Sequence, residues 1–152
     1  MVYGVGGNLN TPAFFNLLVG SYHRLIGKRL IDDGQGAEWL YGEAPFVVLA
    51  HNTEPDPTFV YANMTAQRLF GYNWSEFITL PSRLSAEMAE RAERQHLLDA
   101  VSQRGFITNY RGLRVTKTGQ RFWMEDGAVW QLQDESGQIH GQAAAFSRWT
   151  FV

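Results

Sequence analysis

Apolar positions along this chain recur first at helical and then at strand spacing. Phe14, Leu18, Tyr22, Leu25 and Ile26 lie on one helical stripe, and Thr11-Pro12 supplies an N-cap followed by the proline favoured at a first helical position. The pattern predicts an amphipathic helix over about 12–29, ended near Asp33-Gly34. The continuous run PFVVLAHN reads as a buried strand over about 46–51, Glu54-Pro55-Asp56-Pro57 as a turn, and residues 58–62 as a second strand. Asn63 then caps a helix over about 64–70, its side chain accepting from an early free N–H, and Gly71 ends it. Asn73 and Glu76 have capping-box spacing for a short helix that carries Trp74 and Phe77 and stops at Leu80-Pro81.

A longer helix is expected over about 86–104, closed by Gly105. Glu87–Arg91 and Glu90–Arg94 pair at i,i+4 on its wet side, and Met88, Ala92 and Val101 lie toward its dry side. From Phe106 onward the chain reads as three strands joined by turns at KTGQ (117–120) and DESG (134–137). A two-residue turn at Thr118-Gly119 pairs Val115 with Phe122, Leu113 with Met124 and Arg111 with Asp126. The neighbouring register sets Val115 against Arg121 and mixes the faces, so the hydrophobic pattern favours the first. Arg111 and Asp126 then oppose each other on the inner face, as an internal salt bridge or a ligand contact, unless strand twist carries both groups to a rim. A four-residue turn in the next hairpin sets Gly141, Ala143 and Ala145 against Trp130, Ala128 and Asp126. Such small residues leave room for a cavity or for a large aromatic.

Composition changes this picture in three ways. At 152 residues the chain is most simply one domain, residues 11–152 after a flexible leader over 1–10, and its five Trp, six Tyr and ten Phe predict a bulky, flat-sided interior. Thirteen basic against fifteen acidic residues give a net charge of −2, which leaves no electrostatic footprint for nucleic acid or an anionic membrane. No apolar run is long enough to span a bilayer, and no leader of secretory type is visible, so a cytoplasmic protein is expected. The absence of cysteine removes disulfides, thiolate catalysis and cysteine-held metals. GVGGN (4–8) lacks the preceding strand that a phosphate loop needs.

Two strands, short helices, a long helix and a three-strand meander form the order of a PAS domain, and YANMTAQRLFGYNWSEF resembles the PAS pattern. More narrowly, APFVVLAHNTEPDPTFVYAN, LPSRLSAE, RGFITNYRGLRVTKTGQRFWMEDGAVWQL and GQAAAFSRWTF resemble the bacterial MEKHLA domain family, from about Phe14 to the end. The resemblance implies an α+β fold: a PAS-like five-stranded antiparallel sheet with helices over one face, plus the N-terminal helix. It implies sensing or regulated protein interaction, and no reaction. Members also end plant homeodomain leucine-zipper transcription factors, where a role in dimerisation is ascribed to them; bacterial members have no assigned ligand. PAS relatives with flavin adducts or a thioester chromophore use a cysteine, which this chain lacks. Noncovalent flavin stays open. Haem is not favoured, because His96, on the long helix, reads better as a polar surface residue.

Three functional readings follow. The favoured one is a non-catalytic sensory or regulatory module that holds a small, largely apolar ligand between sheet and helices. Phe46, Phe59, Phe70, Trp74, Phe122 and Trp130 wall that site, with Arg111, Asp126 and Arg83 as polar contacts, although Arg83 equally suits a local ion pair. In the second, no ligand is bound, and the leading helix and an outer sheet face carrying Trp123, Val129 and Phe146 bury against another copy or a partner protein. The third is a cone-like isomerase with Asp126 or His51 as base; an Asp beside an Arg is a weak base, and His51 reads better as a turn residue.

Overall fold

The computed structural model describes residues 11–152; the expected leader and GVGGN lie outside them. Helix α1 (Pro12–Ile26) begins at Thr11, whose hydroxyl accepts from Phe14 N, and ends at Gly27 with φ 81. It therefore stops nearly two turns before the Asp33-Gly34 end expected from the sequence. A short helix, α2 (Ala37–Gly42), follows; sequence periodicity gave no sign of it. Strands β1 (Val47–His51) and β2 (Phe59–Ala62) and helices α3 (Met64–Phe70) and α4 (Trp74–Phe77) fall where expected, with both asparagine caps made and the Asn73–Glu76 capping box closed in both directions. No helix among the described residues is long and apolar enough to cross a membrane.

The long helix, α5 (Arg91–Arg104), starts late, after 3-10 turns at Ser82–Ser85 and Met88–Glu90. That shift rotates its faces. Met88 is 78% exposed and Arg94 is buried, the reverse of the expected arrangement. Glu87 lies against Arg121, and Arg94 bonds Ser82 in place of Glu90.

The meander is β3 (Phe106–Val115), β4 (Arg121–Gln133) and β5 (Ile139–Phe146), and the sheet order is β2-β1-β5-β4-β3, antiparallel throughout. A last segment, β6 (Arg148–Phe151), prolongs the line of β5 beside β4: Ala145 faces Ala128 and Arg148 faces Glu125. Five ribbons thus make the sheet, the fifth interrupted at Ser147.

The β3–β4 register is the one that the hydrophobic pattern argued against: Val115 faces Arg121, Leu113 faces Trp123 and Gly112 faces Met124. The cause is the loop. Thr116 N donates to Gln120 O and Gly119, at φ 89, donates to Thr116 O, so three residues rather than two span the turn. Lys117 N donates to Phe70 O, and Lys117 Nζ lies 2.5 Å from Glu76 Oε2, which ties the tip to α3 and α4.

A second device undoes face assignments read from simple alternation. Asp126 has φ 51 and Asn109 on β3 has φ 56, and the β3–β4 pairing shifts between them. An irregular residue in a strand exchanges its faces beyond that point. Before Asp126, Phe122 and Met124 join the inner cluster with Val47, Phe59, Phe70, Phe77 and Phe146. After it, Ala128, Trp130 and Leu132 join Phe14, Leu17, Leu18 and Val48 under α1. Helix α1 therefore covers the outer face, and Val129 and Phe146, expected on that face, belong to the inner one. Of the residues expected outside, only Trp123 packs apart from both buried faces, beneath Arg111.

The β4–β5 register also differs from expectation, with Ala143 facing Trp130 and Ala145 facing Ala128. The room these alanines leave is filled by α1: Tyr22 meets the Trp130 ring edge-on at 4.9 Å, and Trp130 Nε1 donates to Ser21 Oγ at 2.9 Å.

Candidate functional site

Between the inner sheet face and helices α3 and α5 lies a cavity of about 50 Å³, lined by Leu49, Phe59, Phe70, Leu97, Met124 and Val129 among its apolar walls. Its polar lining comes from five elements: His51 ends β1, Gln142 faces it from β5, Arg94 points in from α5, Arg114 from β3, and Ser85, whose hydroxyl donates to Ser82 O, from the first 3-10 turn. Arg114 is turned inward by the three-residue hairpin loop, because the observed register places residues 112, 114 and 116 on the buried side of β3.

Each polar group has a definite state. His51 Nδ1 lies 2.9 Å from the carbonyl of Asn52, so that nitrogen carries the proton and Nε2 presents a lone pair. Burial, opposed by the Asn52 bond and aided by the charge of Arg94, lowers its pKa to about 4. It is neutral at pH 7. Gln142 donates through Nε2 to Leu98 O and Ser102 Oγ, both at 3.2 Å. Its Oε1 and His51 Nε2 are buried and have no partner. Arg94 donates through Nη2 to Ser82 Oγ at 2.8 Å, and burial first, then the charge of Arg114, pulls its pKa down to about 10. Arg114 donates to Leu113 O and to Tyr110 Oη, which in turn donates to Glu93.

A folded-state pKa of about 4 for His51, against 6.5 ordinarily, has a consequence for stability. Above pH 6.5 neither state holds the proton and the full stability is present; as pH falls toward 4 the unfolded chain binds a proton that the folded chain refuses, so stability is lost. The loss attributable to this residue should reach roughly 3 kcal/mol by pH 4. The difference in unfolding free energy between the parent and His51→Gln, measured from pH 7 to pH 4, should narrow accordingly; a difference independent of pH would show that His51 does not titrate this way.

The structure brings only part of the sequence-derived set to this place. Phe59 and Phe70 line the cavity, and Phe122 packs beside them in the inner cluster. Trp130 is on the opposite face under α1; Phe46 packs on Trp39, and Trp74 on Tyr41 and Tyr61, in the cluster of that side. Arg111 and Asp126 do not form a shared inner pair. Arg111 stacks on Trp123 at 3.9 Å and pairs with Glu125, whereas Asp126 pairs with Arg148 at 2.7 Å, all at the surface. Arg83 pairs with Asp56 in the open, and His96 is exposed. Arg94, Arg114 and Gln142 were missed. Their signal was slight: Arg114 could be found only from the correct hairpin register, and Arg94 only from the late start of α5.

The sheet, its order and a helix-covered inner cavity define a PAS-like domain. The likeness to solved PAS and light-oxygen-voltage domains is extensive in shape and low in sequence. A PAS domain from Colwellia psychrerythraea is 15% identical with a TM-score of 0.61, over 74% of this chain and 90% of the other. A fungal light-oxygen-voltage photoreceptor domain is 19% identical with a TM-score of 0.59, over 89% and 91%. An RNA-binding light-oxygen-voltage receptor is 19% identical with a TM-score of 0.62, over 82% of this chain and 36% of that longer one. No curated protein matches the chain. Residues 12–151 match the MEKHLA domain, and the chain belongs to that family.

Flavin, which one light-oxygen-voltage neighbour's study concerns through an analogue, does not suit this interior. The cavity of about 50 Å³ is far below the about 300–1,000 Å³ of pockets for drug-sized molecules, and the chain has no cysteine for an adduct. Among the described residues no cluster of His, Cys, Asp or Glu suits a metal ion.

Proposed function

We propose that this chain is a sensory or regulatory module that binds a small ligand in the inner cavity and passes the bound state on through protein contacts. The PAS-like fold of its family supports the class. The observation that carries ligand binding is the presence of His51 Nε2 and Gln142 Oε1, two buried acceptors without partners, on the wall of a cavity that also has apolar sides. Buried acceptors left unpaired cost about 1–3 kcal/mol each. A bound molecule with a donor removes that cost. Phe59 and Phe70 hold the ligand's apolar part, and the ligand has few heavy atoms. No reaction belongs to this reading: the Asp126 carboxylate faces Arg148 at the surface, away from the cavity.

A thermal-shift screen of small polar and apolar compounds, with native mass spectrometry of the purified chain, tests the reading. At least one compound should raise the melting temperature, and Ala144→Leu, which fills the cavity from β5, should abolish the shift while the variant keeps its circular dichroism. A shift that survives in that variant, or no binder in the screen, overturns the reading.

A further inference from the structure

Arg94 and Arg114 are 7% and 6% exposed and line one apolar cavity, yet no ion pair among the described residues includes either. A guanidinium carries five N–H donors, and among the described residues these two make three hydrogen bonds between them, all to uncharged oxygens. The nearest relief is indirect. Tyr110 passes the influence of Glu93 to Arg114 through its phenol, with Oη 2.7 and 2.8 Å from the two carboxylate oxygens; among the described residues Arg94 bonds Ser82 and feels the charge of Asp56 without bonding it, Asp56 being paired with Arg83. Two like charges taken out of water without an anion are strongly unfavourable. An anion in the cavity reverses that balance, because bonds from guanidinium to carboxylate are charge-assisted and two-pronged.

The same cavity also holds two acceptors that no group in it bonds. Neutral His51 presents Nε2 and Gln142 presents Oε1, both unpartnered. An ammonium group would answer them but would stand beside two cations; a hydroxyl answers them at no such cost. Size sets the remaining limit. About 50 Å³ is room for a few water-sized groups, at about 10–15 Å³ for each water. A shallow depression of about 270 Å³ beside the β1–β2 loop shares His51, Leu98 and Gln142 with the cavity.

We propose that the inner cavity binds the anion of a short hydroxycarboxylic acid, its carboxylate held by Arg94 and Arg114 and its hydroxyl donating to Gln142 Oε1 or His51 Nε2. This rests on the cavity being a ligand site, and it names the chemistry of the ligand.

Calorimetric titration of the whole chain with glycolate, acetate, glycolamide and inorganic phosphate tests it. Glycolate should bind about fivefold tighter than acetate, for the one added hydrogen bond, and at least about tenfold tighter than the uncharged glycolamide. Arg94→Gln and Arg114→Gln should each remove the preference for glycolate over glycolamide. In the absence of ligand they should melt no lower than the parent, because each takes away an unpaired buried cation; a purely structural arginine would lower the melting temperature instead. Glycolamide binding as tightly as glycolate overturns the anion and leaves the cavity reading standing. Phosphate binding tightest overturns the carboxylate. If none of the four binds while the wider screen yields a neutral ligand, this inference alone fails; if the screen is also empty, both fail.

Discussion

Asn63→Ala is expected to destabilise the fold by about 4 kcal/mol or more, far beyond the ~1 kcal/mol typical of a lost helix cap. Asn63 is fully buried. Its Oδ1 accepts from Ala66 N, the capping bond, and from Val48 N, both at 3.1 Å. Its Nδ2 donates to Phe46 O at 2.9 Å and Leu40 O at 3.2 Å. One side chain thereby joins the start of α3 to β1 and to the end of α2, and alanine leaves two N–H and two C=O groups buried without partners. Urea denaturation should show a lower midpoint at an unchanged slope. Asn63→Asp keeps both accepted bonds but buries a carboxylate oxygen against the Phe46 and Leu40 carbonyls, so no rescue relative to alanine is expected at pH 7. A cost for alanine near 1 kcal/mol would mean that Asn63 acts as a cap and nothing more.

Trp130→Ala should cost about 3–5 kcal/mol, as removal of a fully buried aromatic does, and should not change binding in the inner cavity. Trp130 is wholly enclosed between β4 and α1, edge-on to Tyr22 and hydrogen-bonded to Ser21. The cavity that we assign to the ligand lies on the other face of the sheet. Trp130→Phe should retain most of the stability. Its affinity for glycolate should equal that of the parent in calorimetry; a fall of tenfold or more would place the ligand against Trp130 and contradict the separation of the two faces.

Much of the fold was legible because it rests on local chemistry. The caps at Thr11, Asn63 and Asn73 and the glycine stop at Gly71 act over a few residues, and neighbours in the chain suffice to define them. The segments matching the PAS pattern cover these same elements, which is why architecture could be read without coordinates. The candidate site was less legible. Phe59 and Phe70 were recognised because each sits on a well-defined element beside the first strands. The polar half was assigned to the wrong arginine because hairpin register depends on a loop whose tip is bound to Phe70 O and Glu76, partners over forty residues away.

The sequence by itself thus determined most element types, the order of those it showed, and the family, since capping, periodicity and motif are properties of short stretches; α2, the 3-10 turns and β6 lay outside that reading. Only the tertiary structure decided which side of the sheet each residue serves. The positive-φ residue Asp126 exchanges the faces within β4, α1 takes the outer one, and the late start of α5 turns Arg94 inward. A shift of one residue moves a side chain from one face to the other, and which register holds is settled by packing among distant segments.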